Sequence, residues 1–451
     1  MFAVQRGGTA ARRRAAENSA ADTRAPVALA EAAVPLAPAA PAPHTEPRPE
    51  RARPGQRPRS RARLRVVKPE TPRGEITPKI AAFLDKMQPG SPCLVVDLDV
   101  VEQSYLAMSR ALEPAQIFYA VKANPAPKIL RLLARRGAAF DVASRGEIDL
   151  CLSLGIDPAR LSYGNTAKKQ ADIAYAYDKG VRLFAFDSES ELEKLAVAAP
   201  GSAVFCRILV SNDGAEWPLS RKFGCAGPMA IELLVKARAL GLDPCGLSFH
   251  VGSQQTDLSQ WERVLDQVAA LAAELAARGV PLRVLNLGGG FPSRYRQDVP
   301  SIEVYGAAVM AAVRRSFPVG LPELIVEPGR GIVGDAGVIE AEVVLVSTKE
   351  AGDPRRWVYL DVGKFSGLAE TMDEAIKYRL VTPHDGGPTG PVVLAGPTCD
   401  SVDILYDKSD YQLPLALKAG DKVRILSCGA YTTTYSSVAF NGFAPLKAYC
   451  I

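Results

Sequence analysis

The lysine at position 122 follows a short apolar run, Phe118-Tyr119-Ala120-Val121, and precedes Ala123-Asn124-Pro125. Such a run predicts a buried strand, which must end before the proline because proline cannot donate to a continuing ladder. Partly apolar surroundings at the strand end disfavour the ammonium form, which would make Lys122 a nucleophile toward an aldehyde. For a lysine taken alone, the commoner arrangement is an apolar stem on the protein surface with the charge in water.

Other predicted strands end in residues that could serve the same chemistry. Three successive glycines free backbone N–H groups to face an oxyanion such as phosphate, although such a run is equally typical of a tight turn. A carboxylate such as Glu327 could face a ring nitrogen and keep it protonated, or it could form a structural ion pair with Arg330. His250 could stack on a flat ring or be an ordinary core residue. The strand-end candidates are Asp141, His250, Ser253, Gly288, Gly289, Gly290, Glu327, Gly329 and Arg330.

Two further candidate positions lie nearer the C terminus. Cys399 stands beside Asp400 in a loop of residues 396–403 that begins with Gly-Pro, and Tyr431 follows Gly429-Ala430. An isolated cysteine is more often a small buried apolar residue. The flanking Gly-Pro and aspartates make a core strand a poor interpretation here.

The segments that must position these residues alternate between strand-like and helical patterns. The helical stretches include 130–136, 146–154, 189–198, 229–240 and 261–278. Repeated β-then-α units predict an α/β fold, a (β/α)8 barrel whose functional residues gather at the carboxyl ends of the strands. The eight strand-like runs are 117–123, 138–143, 160–163, 182–187, 203–210, 245–251, 283–287 and 323–327.

The pattern changes on both sides of the predicted barrel. From residue 338 the chain is strand-rich with turn residues, which predicts a β-rich C-terminal domain. Residues 1–77 are rich in Ala, Pro and Arg and offer little apolar surface to bury, so we expect a disordered tail, with a polyanion-binding arm or a transit peptide as alternatives. The predicted division is a tail (1–77), a lead-in strand packing with the C-terminal domain (78–104), the barrel (105–337) and the β domain (338–451).

Charge and cysteine patterns narrow the function classes. The 54 basic and 49 acidic residues are unevenly spread: residues 1–75 hold 15 against 7, and the rest of the chain is mildly acidic, which argues against a nucleic-acid surface there. The eight cysteines form no CxxC pair, which favours buried reduced thiols in a cytoplasmic protein over disulfides or a metal site. No apolar stretch is long enough to predict a membrane span.

From about residue 90 to its end, the chain resembles the fold type III pyridoxal-phosphate decarboxylases of basic amino acids, a family with the alanine racemase-like fold that includes ornithine and lysine/ornithine decarboxylases. The motifs that carry the resemblance occur in the family's order and at fitting spacings. They are Tyr119-Ala120-Val121-Lys122, His250-Val251-Gly252-Ser253, Gly288-Gly289-Gly290-Phe291-Pro292, Glu327-Pro328-Gly329-Arg330 and Gly396-Pro397-Thr398-Cys399-Asp400.

The resemblance implies a role for each candidate. Lys122 would hold the aldehyde of pyridoxal 5'-phosphate, His250 would stack on its ring and Glu327 would pair with its nitrogen. Cys399 would be the proton donor and Asp400 a substrate ligand, both supplied across a homodimer interface. Asp373 would bind the substrate's terminal ammonium, with Glu370 and Glu374 as alternatives. The remaining implied cofactor ligands are Asp141, Arg207, Ser253, Gly288, Gly289, Gly290, Gly329, Arg330 and Tyr431.

The implied reaction is decarboxylation of L-ornithine to putrescine in polyamine biosynthesis, with L-lysine to cadaverine as a second reaction. Diaminopimelate decarboxylase shares the barrel and the Glu-Pro-Gly-Arg motif, but in that family a glutamate follows the cysteine, where this chain has Asp400. Alanine racemases face the ring nitrogen with arginine, which Glu327 argues against. A non-catalytic homologue that binds a regulator is the remaining alternative, disfavoured because Lys122 and Cys399 are both present.

Overall fold

The described part of the chain begins inside the predicted tail. The computed structural model describes residues 73–217 and 222–451, so most of the predicted tail lies outside the described residues. Its last five residues contact the protein body: Arg73 pairs with Asp335 at 3.0 Å, and Glu75 pairs with Arg294 at 2.8 Å and with Arg379 at 2.6 Å. Arg73 and Glu75 precede residue 78, so contacts with the protein body include residues assigned to the predicted tail.

A lead-in segment precedes the barrel. Helix α1 (Pro78–Met87) begins at Thr77, whose side chain accepts a hydrogen bond from the Ile80 N–H at 3.1 Å and so satisfies a donor of the first turn. Strand β1 (Cys93–Val96) and helix α2 (Leu98–Ala111) follow. The chain then enters the barrel.

Eight parallel strands close into a barrel, which confirms the predicted fold class. Their residues are almost all buried because the barrel interior covers one face and helices cover the other. Pairing of Ile325 with Gln116 joins the last strand to the first and closes the ring. The barrel strands are β2 (Gln116–Ala120), β3 (Ala139–Val142), β4 (Leu161–Tyr163), β5 (Leu183–Phe186), β6 (Ala203–Arg207), β8 (Asp243–Ser248), β10 (Val284–Asn286) and β11 (Glu323–Val326).

Helices and a small β pair complete the barrel. Strands β7 (Ala215–Trp217) and β9 (Ser253–Gln255) pair antiparallel outside the ring. All five predicted helical stretches are helical in the structure, which also has helices at Pro78–Met87, Leu98–Ala111, Gln170–Asp178, Ile302–Ser316 and Arg330–Val333. The helices that follow α2 are α3 (Pro127–Arg136), α4 (Arg145–Ser153), α5 (Gln170–Asp178), α6 (Glu189–Ala198), α7 (Gly227–Ala239), α8 (Ser259–Ala277), α9 (Ile302–Ser316) and α10 (Arg330–Val333).

An aromatic cluster stiffens the barrel behind two of the predicted site motifs. The fully buried Trp261 of α8 lies 6.1 Å from Phe249 and 5.7 Å from Phe291, measured between ring centroids. Its indole N–H donates to the Tyr305 hydroxyl at 3.0 Å, so its one polar group is satisfied. Because Phe249 precedes His250 and Phe291 follows the glycine run, this packing fixes both strand ends. Truncating such a buried Trp to alanine typically costs about 3–5 kcal/mol.

The C-terminal part forms an eight-stranded sheet. The strand-rich pattern predicted from residue 338 is present there, and it includes two strands of 11 residues, Gly337–Ser347 and Ile404–Pro414. Strand β1 pairs antiparallel with β12 and parallel with β18, so the lead-in strand lies in this sheet. The strands that follow the barrel are β12 (Gly337–Ser347), β13 (Arg356–Leu360), β14 (Leu380–Val381), β15 (Thr389–Ala395), β16 (Ile404–Pro414), β17 (Lys422–Ile425) and β18 (Lys447–Cys450).

All described residues belong to one compact unit, and the predicted domain boundaries stay predictions. Within residues 73–217 and 222–451, no helix has the length and apolarity needed to cross a membrane. In the same part of the chain, no group of three or more His, Cys, Asp and Glu side chains is placed to hold a metal ion.

Candidate active site

Lys122 lies in a 3₁₀ turn, Val121–Ala123, directly after β2. The strand ends at Ala120 rather than at residue 123, so the lysine follows the strand end instead of belonging to it. Hydrogen bonds from β2, from the end of β11 and from the β-rich part hold the turn. They run from the Ala120 N–H to the Pro328 carbonyl (3.1 Å), from the Thr434 hydroxyl to the Lys122 carbonyl (2.9 Å) and from the Tyr431 N–H to the Ala123 carbonyl (2.9 Å).

The Lys122 ammonium forms an ion pair with Asp141, whose Oδ2 lies 2.9 Å away. Burial lowers the pKa of Lys122, but the charge of Asp141 and the other acidic groups of the site outweighs it, and the pKa lies above its ordinary value. The expectation that the cation is disfavoured is therefore wrong for the chain by itself, because Asp141 is 98 % buried beside the amine while Lys122 is half exposed. Oδ1 of Asp141 is buried and has no hydrogen-bond partner among the described residues.

Glu327 follows β11 on the same rim of the barrel. Its Oε1 accepts a hydrogen bond from Asn286 Nδ2 at 2.5 Å, and its N–H donates to the Gly288 carbonyl at 2.7 Å. Burial, and then repulsion by Asp141, raise the pKa of Glu327 to about 7. The alternative ion pair with Arg330 is wrong, because Arg330 pairs with a different carboxylate, Glu370.

His250 follows β8 and lies beside the glycine run. Its Nδ1 accepts a hydrogen bond from the Gly252 N–H at 3.0 Å, which leaves the proton of the neutral ring on Nε2. Burial, followed by repulsion from Arg207 and Lys122, lowers the pKa of His250 well below its ordinary value. A Cβ on Gly289 would lie 3.1 Å from His250 Nε2 and 2.8 Å from the Glu327 carbonyl. The glycine thus allows the imidazole and Glu327 to approach each other, and the ring is neutral.

The glycine run passes close to the neighbouring backbone. Gly288 (φ +69°) and Gly290 (φ +102°) adopt left-handed conformations that favour glycine, and a Cβ on Gly290 would meet the Gly252 carbonyl at 2.6 Å. The Gly288 N–H donates to the Asn286 side chain at 2.9 Å. In the described part of the chain, the N–H groups of Gly289 and Gly290 have no acceptor, so these two donors remain for an anion.

Arg330 begins α10 and brings together the residues expected around a phosphate. Its Nε donates to the Ser253 hydroxyl at 3.1 Å, and its guanidinium carbon lies 5.1 Å from the centre of the Tyr431 ring. A Cβ on Gly329 would lie 3.3 Å from the Tyr431 hydroxyl. Ser253, Gly329, Arg330 and Tyr431 therefore share one corner of the barrel mouth, beside the Lys122 turn.

Arg207 ends β6 and faces the acidic side of the site. Burial lowers the pKa of Arg207, while Glu327, Asp187 and Asp141 oppose that change, which places all three carboxylates within electrostatic range of the guanidinium. The guanidinium carbon lies 5.1 Å from the Phe223 ring centre.

Cys399 and Asp400 lie in a loop held by the β-rich part alone. The Cys399 N–H donates to the Asn441 side chain at 3.0 Å, and Asp403 accepts from the Thr398 hydroxyl at 2.7 Å. The Cys399 side chain is exposed, unlike the six fully buried cysteines. Among the described residues, no hydrogen bond or ion pair links this loop to Lys122 or Glu327.

The three acids proposed for the terminal ammonium have different surroundings. Glu370 is buried and pairs with Arg330 at 2.6 Å. Glu374 accepts three backbone N–H groups of β16, at 2.6 to 2.7 Å, and these hydrogen bonds lower its pKa against the opposing effect of burial. Asp373 is exposed, has a positive φ of 51° and makes no hydrogen bond or ion pair with the described residues. Only Asp373 has an uncommitted carboxylate.

Sequence reasoning missed several contributors to the site. Asn286 orients Glu327, and Tyr295 accepts from Arg330 at 2.5 Å. Glu370 was expected only as an alternative ligand of the terminal ammonium, and its contact with the same guanidinium was not foreseen. Gly164 makes room for Asp141, whose Oδ1 a Cβ there would meet at 2.0 Å. Asn286 carried a usable signal, since it is a polar residue inside the apolar run Val284-Leu285-Asn286-Leu287 directly before the glycines. Tyr295 and Gly164 have no such signal.

The residues at the mouth fit pyridoxal phosphate. The Lys122 amine, the Glu327 carboxylate and the neutral His250 imidazole lie on one rim. They suit the aldehyde, the ring nitrogen and the ring face of the cofactor, respectively. A phosphate needs several donors, and the mouth offers a hydroxyl, a buried guanidinium and two N–H groups that have no acceptor within residues 73–217 and 222–451. The half-exposed Lys122 opens to this space.

Comparisons with known proteins also indicate a pyridoxal-dependent decarboxylase. The family model "Pyridoxal-dependent decarboxylase, pyridoxal binding domain" matches residues 98–334. Lysine/ornithine decarboxylase of Selenomonas ruminantium is 39% identical over 355 residues, covering 78% of this chain and 88% of that protein. Ornithine decarboxylase of Caenorhabditis elegans is 32% identical over 387 residues, covering 82% and 90%. The crystal structure of a Vibrio vulnificus lysine/ornithine decarboxylase complexed with cadaverine superposes with a TM-score of 0.74 at 31% identity, covering 84% of this chain and 100% of that one.

Proposed function

Because the chain belongs to the pyridoxal-dependent decarboxylases, we propose that it removes the α-carboxylate of L-ornithine to give putrescine for polyamine biosynthesis, with L-lysine as a second substrate that gives cadaverine. The observation that carries the proposal is the placing of Lys122, Glu327 and neutral His250 on one rim of the barrel. Bound pyridoxal phosphate supplies an electron sink for the bond to the departing carboxylate.

The chain's own residues prepare that chemistry. Lys122 would give the amine that tethers the cofactor and later releases product, and Asp141 pairs with its ammonium at 2.9 Å. Glu327 would pair with the ring nitrogen and keep it protonated, and in the cofactor-free chain burial and then Asp141 raise the pKa of Glu327 to about 7. Asn286 fixes the carboxylate by donating to Oε1 at 2.5 Å. His250 would support the ring with a flat, uncharged surface.

The phosphate of the cofactor would bind in the corner around Arg330. The guanidinium and the Ser253 and Tyr431 hydroxyls surround that corner, and the N–H groups of Gly289 and Gly290 add two donors. Gly288 and Gly329 act through their small size, since the Phe249 carbonyl lies too close for a side chain at 288 and the Ala123 methyl group too close for one at 329. Arg207 supports the Asp141 side by balancing its charge.

Two substrate-facing groups are proposed to come from a second copy of the chain. Cys399 would donate a proton to the α-carbon, and such general-acid steps contribute roughly 10²- to 10⁴-fold to the rate. Asp400 would bind the substrate. The exposure of Cys399 and the attachment of its loop to the β-rich part support a homodimer in which each site takes this loop from the partner subunit.

Mixing two inactive variants tests the shared site. Lys122→Ala and Cys399→Ala each remove one half of it, and a mixed dimer regains one complete site. A refolded one-to-one mixture should recover roughly a quarter of the wild-type sites. Recovery at that level would support sharing, and a mixture as inactive as either variant would exclude it.

Asp373 is proposed to bind the terminal ammonium together with Asp400. Its carboxylate is uncommitted, whereas Glu370 and Glu374 are engaged by Arg330 and by backbone N–H groups. An ion pair at about 4 Å is worth about 4 kcal/mol at an effective dielectric of about 20, before desolvation. Asp373→Asn should therefore raise the KM for ornithine far more than it lowers kcat, while Glu374→Gln should leave the KM near wild type.

The deciding experiment offers ornithine, lysine, arginine and meso-diaminopimelate together and identifies the amine products. Putrescine as the main product, with less cadaverine, would support the proposal, and lysine from meso-diaminopimelate would replace it with the diaminopimelate alternative. One methylene distinguishes ornithine from lysine by only about 1 to 3 kcal/mol, so both products are expected.

A non-catalytic homologue is the competing class of function. The purified protein with pyridoxal phosphate should show a visible absorbance band that borohydride bleaches. The band should vanish in Lys122→Ala and persist in Cys399→Ala. Colourless reconstituted protein would refute the enzyme assignment. A cytoplasmic location is proposed with it, since eight free cysteines, six of them buried, suit a reducing compartment.

A further inference from the structure

The Arg330 guanidinium is held by acceptors on three sides. Its Nε donates to Ser253, its Nη1 donates to the Tyr295 hydroxyl at 2.5 Å, and its Nη2 donates to Glu370 Oε1 at 2.6 Å. The Arg330 and Glu370 side chains are 3% and 5% exposed, so the ion pair is almost fully withdrawn from water. Contacts of this kind leave the guanidinium no freedom to turn.

Glu370 reaches this pair from outside the barrel. It lies in the 3₁₀ segment Ala369–Glu374, which follows β13 and belongs to the β-rich part. Its backbone carbonyl accepts from the Ile376 N–H at 3.0 Å, and the neighbouring Thr371 hydroxyl donates to the Leu368 carbonyl at 2.7 Å. The position of the Glu370 carboxylate is thus set by a fixed backbone, and the β-rich part determines where the Arg330 side chain points.

Only one of the two oxygens of the Glu370 carboxylate accepts a hydrogen bond from the described residues. Oε2 of Glu370 is buried and has no hydrogen-bond partner among the described residues. A buried acceptor without a partner is costly, so stability alone does not account for an acid at this place. Its other oxygen nevertheless makes one of the three contacts that orient Arg330.

We propose that Glu370 is a positioning residue for the cofactor's phosphate: it acts through Arg330 and holds the guanidinium in the orientation in which Arg330 and Ser253 can both meet the phosphate. This inference rests on the proposed function, in which Arg330 and Ser253 hold that group. The terminal ammonium of the substrate is then left to Asp373.

Position and charge make different predictions for conservative variants. Glu370→Asp keeps the negative charge but shortens the side chain by one methylene, so the carboxylate no longer reaches Nη2. Glu370→Gln keeps the length and an oxygen that accepts from Nη2, but removes the charge. Positioning requires the aspartate variant to lose phosphate binding and the glutamine variant to keep it. A pure charge role requires the reverse order.

The experiment titrates cofactor-free protein with pyridoxal phosphate and, separately, with pyridoxal, which lacks the phosphate, and follows the visible absorbance. For Glu370→Asp we expect the Kd of pyridoxal phosphate to rise roughly tenfold, as for a buried donor left without its acceptor, and that of pyridoxal to stay unchanged. For Glu370→Gln neither Kd should rise. Inorganic phosphate should compete with pyridoxal phosphate less well in the aspartate variant than in wild type.

Glu340→Asp is the matched control, because Glu340 is also a buried glutamate paired with an arginine, Arg424, at 3.3 Å in the β-rich sheet. It should leave both Kd values at wild type, and thermal unfolding verifies that all variants fold. An unchanged Kd ratio in Glu370→Asp, or an equal loss in Glu370→Gln, would overturn the proposal. If wild type binds the cofactor but releases no carbon dioxide from any diamino acid, the proposed function fails while this test still decides the role of Glu370.

Discussion

Replacing Glu327 by glutamine should stabilise the cofactor-free protein while disabling it as a catalyst. Burial and the charge of Asp141 raise the pKa of Glu327 from 4.5 to about 7. At about 1.36 kcal/mol per pKa unit, an ionised Glu327 costs up to about 3 kcal/mol. The side chain is partly exposed at the barrel mouth, where water screens part of this cost, so we expect a gain of about 2 kcal/mol. The glutamine oxygen still accepts from Asn286.

The pH dependence of this gain follows from the direction of the pKa change. The folded state holds the proton more tightly than the unfolded chain, so wild type loses stability as pH rises from 4.5 to 7 and the glutamine variant does not. The difference in the free energy of unfolding between wild type and variant should be small near pH 5 and complete at pH 8, because these values lie near the lower end of the interval from 4.5 to about 7 and above its upper end.

Urea unfolding of the cofactor-free proteins at these two pH values measures the difference. Glu303→Gln, at an exposed position of α9, is the control and should change the free energy of unfolding by less than about 0.5 kcal/mol. Carbon dioxide release by Glu327→Gln loaded with cofactor should fall roughly 100-fold or more, because the charge facing the ring nitrogen is gone. A variant no more stable than wild type at pH 8, or a gain independent of pH, would refute the reasoning.

Three further changes follow from particular contacts. Glu191→Gln should lower the free energy of unfolding by about 3–5 kcal/mol, because it leaves the Lys168 ammonium, 0% exposed, without its counterion at 2.9 Å. Lys168→Met should lower it less, because Glu191 keeps its ion pair with Lys194. Urea unfolding compares the two variants. Asp141→Asn should lower the pKa of Lys122, so the pH midpoint for cofactor uptake, followed by visible absorbance, should move down. Gly329→Ala would place a Cβ 2.6 Å from a methyl carbon of the turn after β2, and cofactor titration should show a weaker Kd.

The barrel could be predicted because its strands are buried on both faces and therefore read as continuous apolar runs separated by helical periodicity. All eight runs are strands, and the residues that follow them meet at one rim as the fold requires. The pairing of β7 with β9 could not be predicted in this way, since these strands lie outside the ring and Ser253-Gln254-Gln255 has no apolar pattern. The end of β2 was also missed, because the apolar run continues into a 3₁₀ turn.

The acids at 370, 373 and 374 mark where sequence reasoning stops. Their spacing suggests three interchangeable carboxylates, yet each has different contacts. The reason is local: Asp373 (φ 51°) and Glu374 (φ 56°) are both left-handed, a conformation that non-glycine residues seldom adopt in succession. Because of this change in backbone direction, Glu374 accepts hydrogen bonds from β16, Asp373 is exposed, and Glu370 pairs with Arg330. The sequence has no glycine at these positions that would predict the change of direction. Only the backbone of the structure therefore distinguishes Asp373, the proposed substrate ligand, from Glu370, the proposed support of the phosphate site.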